Sequence, residues 1–191
     1  MRNKARVSLL AVALMASYGG AAFAESGRFL STVGAARPPV GFAAACADYK
    51  WLCSTGLRSA PVASVEIRKV AASVNAQVNR MIASRPPAAM KWSLPSAGAG
   101  DCVSYALLKL RMLLDAGVPP QRVFIATVQT MSGEDHAVLV VRTDQEDLIL
   151  DNLRGGLMTW KETGYTFLKL QNASSRSRWD LVLLGPRARR S

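Results

Sequence analysis

Apolar residues recur at helical spacing in two segments of the chain. In residues 61–84, charged and amide side chains separate apolar positions three or four residues apart: Val62, Val65, Val70, Val74, Val78, Met81 and Ile82. Prolines flank this segment on both sides. Residues 102–116 form a second amphipathic segment, which ends at Gly117. The pattern predicts one helix in each segment.

Short apolar runs after Pro120 predict β-strands. They lie at residues 123–128, 136–142, 148–150, 157–170 (one or two strands) and 179–184. The polar residues 143–147 predict a hairpin turn. Helices followed by neighbouring antiparallel strands are the order of a single α+β domain, and the sequence contains no internal repeat.

The first 24 residues have the pattern of a secretory signal peptide. Basic residues at positions 2, 4 and 6 precede an apolar run at 7–17, and Ala22-Phe23-Ala24 supplies a cleavage site. The run is short for a membrane span, so we expect cleavage after Ala24 and export to the periplasm, with an uncleaved anchor as the alternative. Residues 25–60, rich in Gly, Ala, Pro and Ser, predict an irregular segment ahead of a domain at 61–191.

Composition favours one exported globular domain with a basic surface. The chain has 191 residues, of which 50% are hydrophobic and 19% charged. Its net charge of +11 falls to +8 without residues 1–24, which contain three basic and no acidic residues. The basic residues show no aromatic interleaving and no nucleic-acid motif, so we expect no nucleic-acid partner.

The three cysteines indicate one free thiol. Cys46 and Cys53 are close in sequence and can pair in an oxidising compartment, which leaves Cys102, although sequence alone does not fix the pairing. Cys102 begins the second predicted helix, where unpaired N–H groups and the helix dipole favour a thiolate. Its own backbone N–H is a candidate oxyanion donor.

A base and an orienting carboxylate stand at predicted strand ends. His136 is the only histidine and opens the strand 136–142, while Asp151 follows the strand 148–150. The turn between these strands brings the two residues side by side, which completes a Cys-His-Asp nucleophilic site. The alternatives are a histidine that packs against the strand and an Asp-Asn turn that ends one. Asn152 is a weaker candidate for the orienting role.

The remaining candidate residues are Trp92 and Asp101. Trp92 is either part of a substrate cleft or a core aromatic residue. The chain has no zinc-ligand spacing and no EF-hand loop, so Asp101 is only a weak candidate for a calcium ligand. The chemistry of a thiol nucleophile requires no cofactor.

Three motifs in order resemble the bacterial transglutaminase-like cysteine peptidases. They are Gly100 to Lys109 with its continuation Leu114 to Pro119, His136 to Val140, and Leu148 to Leu153. The resemblance implies a papain-like, transglutaminase-type fold, in which a helix bearing the nucleophile packs on an antiparallel sheet. It also implies a periplasmic peptidase whose best-known relatives cut surface adhesins at a paired-alanine site and release biofilm cells, and an inner-membrane regulatory partner.

The resemblance does not extend to the family's calcium-linked acidic residues. Asp101 matches one of them, but Val103 and Ser104 stand where the others are usual. The sequence therefore predicts a periplasmic cysteine peptidase with Cys102, His136 and Asp151 as its catalytic residues. The alternatives are acyl transfer, as in a transglutaminase or amidase, and a non-catalytic basic binding protein.

Overall fold

The computed structural model describes residues 27–56, 60–87 and 91–188. The predicted signal peptide lies outside these residues. Within the described ranges, no helix combines the length and apolar character needed to cross a membrane.

Three helices and nine strands make up the described fold. The helices are α1 (Phe42–Asp48), α2 (Ile67–Met81) and α3 (Cys102–Asp115). The strands are β1 (Gly34–Ala36), β2 (Ala83–Ser84), β3 (Ala99–Gly100), β4 (Val123–Gln129), β5 (Asp135–Arg142), β6 (Asp147–Leu150), β7 (Met158–Thr159), β8 (Thr166–Gln171) and β9 (Trp179–Leu184). The predicted α+β class is confirmed.

One antiparallel sheet organises the domain, in the strand order β1-β9-β8-β4-β5-β6-β7. The central strands β4, β5 and β6 are buried on both faces, which is why they appear in the sequence as nearly continuous apolar runs. One face packs on α2 and α3 through Ile125 and Leu139, among others. The other face holds a second cluster that includes Phe124, Val138 and Phe167.

Helix α2 is shorter than its apolar pattern. Ser64–Glu66 form a 3-10 turn, and the α-helix itself begins at Ile67. Residues Ile67, Ala71, Val74 and Val78 are buried, whereas Val65 and Met81 at the two ends of the pattern are exposed. The helix therefore presents its apolar stripe to the core from Ile67 to Val78.

The N-terminal segment contains regular structure that its composition did not predict. Strand β1 pairs antiparallel with β9 at the sheet edge, and helix α1 follows. The predicted pairing of Cys46 with Cys53 is present and joins α1 to the 3-10 turn Lys50–Cys53. Elements of three and seven residues bury too little surface to form alone, so they depend on the sheet and the disulfide.

A second short sheet shapes the loop that leads to α3. Strand β2 follows α2 directly and pairs in parallel with β3, which lies just before Cys102. This pairing ties the end of α2 to the start of α3. The segment that links β2 to β3 is therefore held at both of its ends.

Candidate active site

The first turn of α3 is built around Asp101 and Gly100. Asp101 is the N-cap residue, and its Oδ1 accepts hydrogen bonds from the backbone N–H (2.9 Å) and the hydroxyl (3.1 Å) of Ser104. A Cβ at Gly100 would lie 2.6 Å from Cβ of Ser104, so a glycine is required there. These residues fix the helix start, where Cys102 is a half-buried free thiol.

His136 and Asp151 are in direct contact. Leu139 of β5 pairs with Leu150 of β6, and this register brings the residues at the neighbouring strand ends within reach of each other. Nε2 of His136 lies 2.8 Å from Oδ1 of Asp151. Cys102 borders the same cleft as His136, and its side chain contributes to the raised pKa of the imidazole.

Three further residues hold Asp151, and the sequence did not point to them. The hydroxyl of Tyr165 donates to Oδ2 (2.7 Å), and the backbone N–H of Leu153 donates to Oδ1 (3.0 Å). Nδ2 of Asn79 donates to the backbone carbonyl of Asp151 (2.8 Å). Tyr165 directly precedes β8, and Asn79 lies on α2. Only the tertiary fold therefore brings these two residues to Asp151. Asn152 makes no hydrogen bond to the imidazole in the described structure.

The electrostatics of this group favour a charged imidazole. Burial lowers the pKa of His136, but its hydrogen bonds and charge interactions with Asp151 and Cys102 outweigh burial and raise that pKa to about 9. Burial raises the pKa of Asp151, yet the hydrogen bond and charge of His136, together with Leu153 and Tyr165, bring it below its usual value. An imidazolium beside a carboxylate is therefore the stable state below about pH 9.

An open cleft of about 490 Å³ borders Cys102 and His136. Its walls are largely apolar, and charged side chains stand at Asp135 and Lys169. Trp92 also lines the cleft, although it is only 7% exposed and packs edge-on against Phe42 and Trp179 in the core. Trp92 thus takes part in both the core and the cleft.

The sequence matches the family model of the bacterial transglutaminase-like cysteine proteinases (BTLCP) over residues 32–185. The chain belongs to this family. The match begins inside the N-terminal segment, before β1, and it ends one residue after β9. The family assigns the chain to the cysteine peptidases. Among curated proteins, none matches the chain.

Solved structures of LapG from Legionella pneumophila share the fold of this cysteine proteinase. The calcium-bound form aligns at 21% identity over 67% of this chain and 78% of its own, with a TM-score of 0.51. Another LapG structure aligns at 22% identity over 60% and 68% of the two chains, with a TM-score of 0.51. The EGTA-treated form aligns at 24% identity over 56% of this chain, with a TM-score of 0.50. This chain spans only 64% of the length of that form. The predicted transglutaminase-type fold is confirmed.

The two residues that flank Cys102 in this BTLCP protein, Asp101 and Val103, do not by themselves make a calcium site. Calcium takes six to eight oxygen ligands, several of them carboxylates. Oδ1 of Asp101 already caps α3, and the side chain of Val103 has no oxygen that could bind a metal ion. Across the described ranges, no group of three or more His, Cys, Asp or Glu side chains is placed to hold a metal ion. We therefore derive no chemical step through a metal.

Proposed function

We propose that this protein is a periplasmic peptidase that cuts a peptide bond in an exported or surface protein, with Cys102, His136 and Asp151 as its catalytic residues. The observation that carries the proposal is the position of His136, which contacts Asp151 through Nε2 and lines an open cleft together with Cys102. A binding protein needs no such chain of thiol, imidazole and carboxylate.

The proposed reaction passes through a thioacyl-enzyme. The thiolate of Cys102 attacks the peptide carbonyl carbon, and its backbone N–H at the start of α3 stabilises the oxyanion. His136 then gives its proton to the amine as the C–N bond breaks. In the second half, His136 takes a proton from water and the resulting hydroxide attacks the thioester. The C–S bond breaks, the carboxylic acid product leaves, and the thiolate of Cys102 is restored beside the imidazolium of His136.

Asp151 supports both halves of the reaction without accepting the proton itself. Its carboxylate fixes the ring of His136 and stabilises the imidazolium that the first half-reaction consumes and the second forms again. The carboxylate is 2% exposed and accepts three hydrogen bonds, so it cannot rotate away from the ring without losing them.

The open cleft suits an extended peptide, and a surface adhesin is the proposed protein substrate. An inner-membrane regulatory protein is the proposed partner, and nucleic acid is not. The alternatives use the same residues differently: a transglutaminase or amidase passes the acyl group to an amine, and a basic binding protein does not turn over.

The deciding experiment incubates the chain from residue 25 with an adhesin N-terminal fragment that contains a paired alanine, and separately with a proteome-derived peptide library. We expect new N-termini by mass spectrometry with the wild type and none with Cys102→Ala, which should keep the wild-type melting temperature. Products that gain water indicate hydrolysis, whereas cross-linked products that lose ammonia would replace the peptidase by a transglutaminase. Equal cleavage by Cys102→Ala would refute the mechanism.

A further inference from the structure

Strand β8 contains a β-bulge at the wall of the cleft. The neighbouring residues Thr127 and Val128 of β4 pair with Lys169 and Phe167 of β8, so Leu168 is an extra residue between them. In a regular strand, consecutive side chains point to opposite faces, but a bulge bends the strand and redirects them. Here the half-buried side chains of Leu168 and Lys169 both line the cleft. The bulge thus places an apolar and a basic side chain together on one wall.

The strand register fixes how far Lys169 lies from the proposed base. Lys169 pairs with Thr127, and Thr127 pairs with Ala137, the residue after His136. Residues paired directly across strands share one face of a sheet, and all three line the cleft. Neighbouring strands are about 4.8 Å apart, so the backbone of Lys169 lies about 10 Å from that of Ala137. An extended peptide covers this distance in about three residues.

The charge of Lys169 is not neutralised by any described residue. Its Nζ donates to the backbone carbonyl of Arg37 (3.0 Å), and it forms no ion pair within the described ranges. A neutral carbonyl holds the ammonium group in place without cancelling its charge, and two of the three N–H donors remain. Lys91 is exposed and adds a second positive charge to the same cleft.

Acidic side chains lie on the other side of the thiol and the imidazole. A second opening of about 320 Å³ shares Cys102 and His136 with the cleft, and Glu134 lines this second opening only. Asp135 borders both openings, but it is two residues further from Lys169 along β5 than Ala137 is. The thiol and the imidazole therefore lie between a basic end and a more acidic end.

This distribution of charge favours one orientation of a bound peptide. A peptide that passes over Cys102 extends into both openings, because both border the thiol. An acidic side chain is attracted to the end that carries Lys169 and is repelled from the end that carries Glu134. Attraction at one end combined with repulsion at the other is how a site discriminates between binding modes.

We propose that Lys169 is a specificity-determining residue that binds an acidic side chain of the substrate, aspartate or glutamate, about three residues from the scissile bond. The apolar side chain of Leu168 packs against the methylene groups of that side chain. The proposal rests on the function proposed above, because it assigns part of the same cleft to the protein substrate. Lys169 takes no part in breaking the peptide bond.

The test uses peptides that alkylate Cys102, because this reaction needs no hydrolysis. The thiolate displaces chloride from the reactive carbon, so a C–S bond forms as the C–Cl bond breaks. Chloromethyl ketones of the form acetyl-Glu-Ala-Ala extend on the acyl side of the site, and N-chloroacetyl-Ala-Ala-Glu amides extend on the amine side. Each is compared with the same peptide carrying Gln in place of Glu, at neutral pH.

The glutamate peptide should react roughly two- to fivefold faster than the glutamine peptide in one of the two series, which is the size of an exposed ion pair. That series also tells on which side of the scissile bond the acidic residue binds. Equal rates in both series would overturn the proposal. The preference should weaken as the salt concentration rises, because salt screens exposed charges, and a preference that ignores salt would also overturn it.

Variants assign the preference to one side chain. Lys169→Met keeps most of the side-chain length and should abolish the preference for glutamate, while Lys169→Glu should transfer it to peptides that carry lysine. Lys69→Met is the matched control, because Lys69 is an exposed lysine of α2 that lines neither opening. This control should keep the wild-type preference. A preference that survives in Lys169→Met contradicts the assignment.

Alkylation and hydrolysis separate the two proposals. A protein that hydrolyses nothing but shows the glutamate preference loses the proposed function and keeps the binding site at Lys169. An active peptidase without the preference loses only the role of Lys169. In the active enzyme, peptides cut from the library should carry an acidic residue about three positions from the cut, and Lys169→Met should raise their KM roughly two- to fivefold at unchanged kcat.

Discussion

The hydroxyl of Tyr165 is expected to stabilise the ionised form of Asp151, and Tyr165→Phe removes it while keeping the ring. Tyr165 is 3% exposed, and its hydroxyl donates to Oδ2 of Asp151 at 2.7 Å. A hydrogen bond to a charged group contributes about 1.5–3 kcal/mol. Its loss should raise the pKa of Asp151.

The sign of the effect on stability follows from the direction of that pKa. Asp151 has a lowered pKa in the folded protein, so its contribution is present above the unfolded pKa of about 3.9 and is lost as the pH falls through the folded value. Tyr165→Phe should therefore lower the free energy of unfolding by about 1.5–3 kcal/mol at neutral pH. At acid pH, where Asp151 is protonated in both proteins, the difference should shrink.

Urea denaturation at about pH 7 and at the lowest pH at which both proteins still fold measures both quantities. Tyr105→Phe is the matched control, because Tyr105 is also buried and its hydroxyl donates to the neutral backbone carbonyl of Ile82. The control should lose about 1 kcal/mol at either pH. If Tyr165→Phe shows the same loss at both pH values, the hydroxyl does not stabilise the charge on Asp151 and the reasoning fails.

Three further predictions concern the charged groups of the fold. At about pH 6.5, His136→Ala should slow the alkylation of Cys102 by iodoacetamide roughly tenfold or more, since an unassisted thiol is only about 1% thiolate there; an equal rate in both proteins would mean that no ion pair forms. Asp151→Asn should move the pKa of His136 from about 9 towards its ordinary ~6.5 and cut kcat by about 10²–10⁴-fold, measured by NMR and by turnover; a raised pKa in the variant would remove Asp151 from the site. Arg176→Met should lower the free energy of unfolding by about 3 kcal/mol without changing turnover, because the 1% exposed guanidinium donates to the carbonyls of Leu52, Pro120 and Val123; a wild-type urea midpoint would contradict this.

The features predicted from sequence are those with partners nearby in the chain. The helix at 102–116 and the hairpin around 143–147 depend on local periodicity and a short turn, and both are present. The contact between His136 and Asp151 follows from that hairpin, because one short turn sets the register of the two strands.

The features missed from sequence depend on distant partners. Strand β8 inserts between β4 and β9, and β1 pairs with β9 from the opposite end of the chain, which no local pattern encodes. Tyr165 and Asn79 reach Asp151 from 14 and 72 residues away, respectively. Neither residue type stands out in its own segment, since a tyrosine before a strand and an asparagine on a helix are ordinary.

Asp151 contacts both a partner that is near in the chain and one that is distant. Its side chain contacts the hairpin partner His136, while its backbone carbonyl accepts a hydrogen bond from Asn79 of α2, and α2 is tied through β2 and β3 to the start of α3. The loop after β6 thus connects His136 to the helix that carries Cys102. Because this path includes the side-chain amide of Asn79 as well as apolar packing, we expect the distance between thiol and imidazole to depend on that polar contact. Apolar substitutions on the core face of α2 should therefore affect stability first, and those at its asparagines should affect the geometry of the site.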